Sequence, residues 1–151
     1  MAPTSREVFD LVATQVFAKL LSEFPVPCDL DADHFAGALV QNGGEMTTED
    51  HLRIYHAAQN TISFLQCAGL VEVVNHPQTL SGPSVNFFGV RLTMEGLTLL
   101  GTVPTSLGNS LGDQLKGVAN KGAEAAATGL IQSIFERAIA MGLRTAFSGG
   151  G

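Results

Sequence analysis

Apolar side chains recur at helical spacing from the start of the chain. Phe9, Val12, Ala13, Val16, Phe17, Leu20 and Phe24 fall on one broad face. Thr4 and Glu7 have capping-box spacing, which predicts a first helix starting at Thr4. Pro25 and Pro27 end it. Residues 27–30 are a short segment able to pair as an edge strand. A second helix is expected over about 31–40, burying Phe35, Leu39 and Val40, and Asn42-Gly43-Gly44 stops it. The third helix has Thr47 as N-cap with Asp50 three residues on, a buried stripe of Leu52, Tyr55, Ala58, Ile62 and Leu65, and Gly69 as its stop.

The period then changes. Leu70 to Val74 is a β-rich run, residues 75–84 carry Pro77, Gly82 and Pro83, and a second β-rich run extends from Val85 to Leu92. Two such runs across a turn-rich loop predict a hairpin. Thr93 caps a following helix with Met94, Leu97, Leu99 and Leu100, and Pro104 closes the unit.

Helix, then Cys67-Ala68-Gly69-Leu70-Val71, a wing loop, and Val90-Arg91-Leu92-Thr93-Met94-Glu95-Gly96-Leu97 together resemble the winged helix-turn-helix superfamily over about residues 4–102. The resemblance implies a mainly α fold with a small β-hairpin wing. It does not imply one function, since winged helices bind DNA and proteins alike. The expected organisation is a winged-helix domain over 4–103, a Gly/Ala-rich helical tail over 104–147 and a Gly-rich end over 148–151.

Charge alters the functional expectation. The chain of 151 residues has a formal net charge of −6. Residues 1–103 hold four Lys/Arg (Arg6, Lys19, Arg53, Arg91) and eleven Asp/Glu, a formal charge of −7, so the remainder is +1. On the third helix Glu49, Arg53, His56, Asn60, Ser63 and Cys67 lie opposite the expected core. Arg53 and Asn60 can read base edges in a major groove, as the third helix of DNA-binding members does. However, residues 75–88 contain no Lys or Arg, and phosphate neutralisation supplies most non-specific DNA affinity. DNA is therefore disfavoured by charge. Strand alternation puts Phe88, Val90 and Leu92 on one face and Val85, Phe87 and Arg91 on the other. With the first set in the core, Val85 and Phe87 are exposed and suit a protein partner. Packing of Phe87 beneath the tail is the alternative.

In the tail, Leu107, Leu111, Leu115 and Val118 share one helical stripe, continued by Gly122, Ala125 and Gly129. Each glycine costs a helix about 1 kcal/mol against alanine. Beyond Gly129 the apolar face moves to Leu130, Ile131, Ile134, Phe135, Ala138 and Met141, which predicts a bend or break near 128–129. The stripe needs a cover: its own domain, another subunit or a membrane. The polar face lacks the Lys/Arg of membrane-surface helices, which disfavours the last. Self-association through Leu107, Leu111, Leu115, Val118, Ile131, Ile134 and Phe135 is the reading adopted.

No catalytic constellation emerges. His51 and His56 are five apart and do not share a helix face as metal-binding pairs four apart do. His34, His76, Cys28 and Cys67 lack zinc spacing. The Asp29, Asp31, Asp33 alternation lacks a calcium loop's glycine and distal Glu, and capping is the simpler role. No catalytic residue, metal or cofactor is expected. With two distant cysteines, no signal-peptide pattern and no long apolar run, a reducing, cytoplasmic setting is expected. The leading expectation is a non-enzymatic winged-helix adaptor. It contacts a protein partner through Arg53, His56, Asn60, Val85 and Phe87 and forms a homo-oligomer through its tail. A DNA-binding transcriptional regulator dimerising through the tail is the alternative, and a membrane-associated effector using residues 105–147 is a third.

Overall fold

A computed structural model of the chain describes residues 3–42, 44–75, 86–102 and 124–140. The elements are α1 (Ser5–Glu23), β1 (Cys28–Asp31), α2 (Ala32–Asn42), α3 (Thr48–Cys67), β2 (Val71–Asn75), β3 (Asn86–Leu92), α4 (Met94–Thr102) and α5 (Glu124–Ala140). The described chain is mainly helical with one small antiparallel sheet.

α1 lies at the centre. It packs against α2, α3, α5 and the sheet. Val8, Leu11, Val12, Ala13, Val16, Phe17, Ala18 and Leu20 are all buried, as are Asp10 and Thr14. A helix enclosed on most sides is apolar on most sides, which is why the face is broader than an ordinary amphipathic stripe. Its start is the expected capping box: Thr4 Oγ1 accepts from the Glu7 N–H at 3.2 Å and Glu7 Oε1 accepts from the Thr4 N–H at 3.1 Å. α3 begins the same way, with Thr47 and Asp50 reciprocally bonded at 3.1 and 3.2 Å. Its buried face is Ile54, Ala58, Thr61, Ile62 and Leu65. Leu52, expected in that stripe, is 55% exposed, because the face that meets α1 and α2 passes through Ile54 instead.

The sheet has the strand order β1-β3-β2, with both pairs antiparallel. Val71 faces Leu92, Glu72 faces Arg91 and Val73 faces Val90. On the other side Leu30 pairs with Phe87 and Cys28 with Val90, so two steps along β1 match three along β3. The extra residue forms a bulge. Gly89 takes a positive φ of 64° there, and its N–H donates to Asp29 Oδ1 at 2.9 Å. The bulge resets the alternation: Phe87 and Val90 are 6% and 0% exposed, whereas Phe88 is 39% exposed. The expectation of an exposed Phe87 is thus corrected, since it depends on unbroken period-two alternation. Val85 and the expected wing loop lie outside the described residues.

α5 also departs from expectation. It is one helix through 128–129, with no break at Thr128-Gly129. It packs along α1 and α4 of its own chain, and Ile131 and Ile134 are fully buried with Phe135 at 9%. These three residues, expected in a self-association surface, belong to the core of the chain itself. Their i, i+3, i+4 spacing finds its cover on α1. Leu107, Leu111, Leu115 and Val118 lie outside the described residues, as do 148–151.

Candidate docking groove

Arg53, His56 and Asn60 follow one another along the outer face of α3, as the helical spacing requires. Their chemistry is partly committed inward. Arg53 Nη1 donates to the Pro3 carbonyl at 2.6 Å and Nη2 to Asp50 Oδ1 at 3.2 Å. The guanidinium thereby ties the residue ahead of α1 to the first turn of α3. Asp50 is held below the usual carboxylate range, first by the Thr47 backbone N–H and then by Arg53. Asn60 Nδ2 donates to the His56 carbonyl at 2.8 Å, a bond within its own helix. His56 is exposed.

The three residues line a shallow depression of about 550 Å³ with Ser5, Glu49, Leu52 and Ala57. It adjoins a groove of about 710 Å³ and shares Ser5, Ala57 and Asn60 with it. α1 contributes Ser5, Arg6 and Phe9 to the groove, α3 contributes Ala57, Asn60, Thr61 and Phe64, and α5 contributes Gln132, Phe135, Glu136 and Ile139. Three aromatic rings form the floor. Phe9 meets Phe64 edge-on at 5.6 Å between centroids and Phe135 at 5.8 Å, and Phe64 meets Phe135 at 6.1 Å. The Phe64 ring meets both others edge-to-face, while Phe9 and Phe135 are tilted by 33° to each other, and edge-to-face pairs fix ring orientation beyond simple burial. Thr61 Oγ1 donates to the Ala57 carbonyl at 2.7 Å, so its hydroxyl is satisfied within the helix.

Charge around the groove is uneven once the pairs are assigned. Arg6 Nε donates to the buried Asp10 at 3.2 Å while its guanidinium lies over the Phe9 ring, 5.6 Å from the centroid. Arg53 is occupied as described. Glu49 and Glu136 are exposed on the rims, and Glu136 Oε1 accepts from Gln132 Nε2 at 3.2 Å. The groove is thus apolar with one exposed carboxylate, Glu136, and the depression beside it has another, Glu49. Arg6 and Arg53, which line the two, are each bonded to oxygens of the chain itself, although the Arg6 side chain stays 65% exposed.

Phe87 takes no part in this surface, because it is in the sheet core. Phe9, Phe64 and Ile139 are site residues that sequence reasoning does not single out. Their signal is present as apolar residues flanking the buried stripes of α1, α3 and α5, wider than two packed helices require. Leu52 carries the same signal, although helical spacing alone places it in the core.

Elsewhere in the described residues Arg91 Nε donates to Glu72 Oε1 beside a depression of about 450 Å³. No group of three or more His, Cys, Asp or Glu there is placed to hold a metal ion. Asp31 Oδ1 accepts from the Asp33 N–H at 3.0 Å, the capping role expected for the acidic alternation. Cys28 is half-buried and Cys67 exposed, both as free thiols, and burial pushes the Cys28 thiol above its ordinary range. No helix among the described residues is long and apolar enough to cross a membrane. Comparison of the chain with known protein families, with characterised proteins and with solved structures finds no match.

Proposed function

We propose that the chain is a non-enzymatic adaptor built on a winged helix, acting through protein–protein contact. Support for the winged helix is the order helix, strand, two helices and hairpin, with the sheet order β1-β3-β2, together with the Gly69 and Thr93 turns that flank the hairpin. The observation that carries the functional reading is Arg53. A DNA-reading third helix needs its arginine free to reach a base edge or a phosphate. Here both guanidinium arms are bonded to Pro3 and Asp50, beside an apolar groove and on a chain segment of formal charge −7. Of the residues expected to serve self-association beside this role, Leu107, Leu111, Leu115 and Val118 remain, since Ile131, Ile134 and Phe135 are buried within the chain.

Two arms test this. Titration of labelled duplex DNA with the full chain gives no complex tighter than about 10⁻⁴ M at physiological salt, the weak end of non-specific binding. Affinity purification of the native protein recovers a protein partner that Asn60→Lys loses. A tight, salt-sensitive DNA complex abolished by Arg53→Ala overturns the adaptor reading in favour of a transcriptional regulator.

A further inference from the structure

We propose that the groove between α1, α3 and α5 is a receptor for a basic amphipathic helix of a partner protein. The inference rests on the adaptor reading and names the class of partner that this surface takes.

Shape supplies the first argument. The groove and the adjoining depression run together along α3 from Leu52 to Phe64. That is about 18 Å at the helical rise, or roughly three turns of a second helix laid alongside. Two exposed apolar side chains add to this surface, Ile139 of α5 at 66% in the groove and Leu52 of α3 at 55% in the depression. A helix with bulky residues at i, i+4, i+7 and i+11 presents a stripe of that length, the pattern by which helices are recognised in grooves.

Charge supplies the second argument and selects the occupant. Arg6 and Arg53 are each engaged by an acidic side chain of the chain itself, Asp10 and Asp50. The exposed carboxylates are Glu136, which lines the groove, and Glu49, which lines the depression; Arg6 also stays 65% exposed, but its charge is balanced by Asp10. The field of residues 1–103 has the same sign. A partner helix with Lys or Arg flanking its apolar stripe is drawn to this surface and held in register by it. A second copy of the chain would instead bring acidic banks against acidic banks.

The test uses the full chain and a fluorescein-labelled peptide of about 15 residues, helical, with Leu at i, i+4, i+7 and i+11 and Lys on its flanks. Binding is read by anisotropy. The expected result is saturable binding, weakened by about tenfold or more in Asn60→Lys and in Glu136→Lys, a difference of at least about 1.4 kcal/mol. Both substitutions are at exposed positions, and unchanged thermal melts confirm that folding is not the cause. The same peptide with Glu in place of every Lys binds the wild-type chain at least about tenfold more weakly and regains affinity on Glu136→Lys. Absence of binding, or binding indifferent to both variants, overturns the proposal. A dimer seen in sedimentation that Asn60→Lys dissolves makes a second copy the occupant and also overturns it. So does peptide binding that appears only when Leu143 and Phe147, two apolar residues that follow α5 in the sequence, are both changed to Ser, which assigns the groove to the chain's own C-terminal residues. A parallel titration with duplex DNA separates the two levels. Salt-sensitive DNA binding overturns the adaptor reading itself, whereas failure to bind either probe overturns only the choice of occupant.

Discussion

Thr93 locks the end of α3 to the start of α4. Its hydroxyl donates to the Gly69 carbonyl at 2.6 Å and accepts from the Gly96 N–H at 2.9 Å, while its own N–H donates to the Leu70 carbonyl at 3.1 Å. One side chain thus caps a helix and closes the entry to the hairpin. Thr93→Val keeps the shape and removes both hydroxyl bonds. It lowers stability by about 1–2 kcal/mol in chemical denaturation. A loss indistinguishable from zero would mean that the clasp contributes nothing.

The same joint requires Gly96. A Cβ there would stand 2.2 Å from the Leu70 carbonyl oxygen, backbone that cannot swing aside. Gly96→Ala is expected to cost about 1–3 kcal/mol as α4 is pushed off the sheet. Gly101 serves as the control, since a Cβ at that position in the same helix would meet nothing within 4 Å. Gly101→Ala leaves stability equal or higher, by up to about 1 kcal/mol.

Gly129→Ala tests the continuity of α5. The residue lies inside a helix, is exposed, and has open space where a Cβ would go. Alanine gains about 0.5–1 kcal/mol there if the helix runs unbroken. A thermal melt showing destabilisation would contradict the unbroken helix.

Phe87 and Phe88 make a paired test of the bulge. Phe87→Ala empties a core position and costs about 3–5 kcal/mol, whereas Phe88→Ala costs under about 1.5 kcal/mol. Reversal of that order, read from denaturation midpoints, would restore unbroken alternation and contradict the Gly89 bulge.

Asp50 gives the chain a pH-sensitive helix start. Its carboxyl titrates below the usual range, because the Thr47 N–H and then Arg53 favour the charged form. Its contribution is complete above the unfolded-state value of about 3.9 and is lost as pH falls through the lowered folded value. An NMR titration of the Asp50 carboxyl therefore has its midpoint below about 3.9, with the Thr47 amide moving along the same curve. A midpoint at or above that value contradicts the capping geometry.

The elements that sequence predicts well are those with local causes. Both capping boxes, the Gly69 stop and the Thr93 turn depend on residues a few positions apart, and all are present. What sequence misses depends on neighbours distant along the chain. The Gly89 bulge needs the Asp29 carboxylate, which sits in another strand. The cover of Ile131, Ile134 and Phe135 needs α1, whose breadth hints at a third helical neighbour. The groove is legible only in part. Helical spacing places Arg53, His56 and Asn60 on the outer face of α3, but the Phe9, Phe64 and Phe135 floor arises from three helices meeting.

The most direct test of a protein-contact surface in place of a DNA-reading helix is one amide-shift map. The labelled full chain is titrated separately with the basic amphipathic peptide and with duplex DNA at low salt. The account predicts that the peptide shifts Ser5, Ala57, Asn60 and Ile139, residues of three different helices around one groove, while DNA shifts none of them. Salt-dependent shifts of Arg53, His56 and Asn60 with DNA, and none with the peptide, would contradict it.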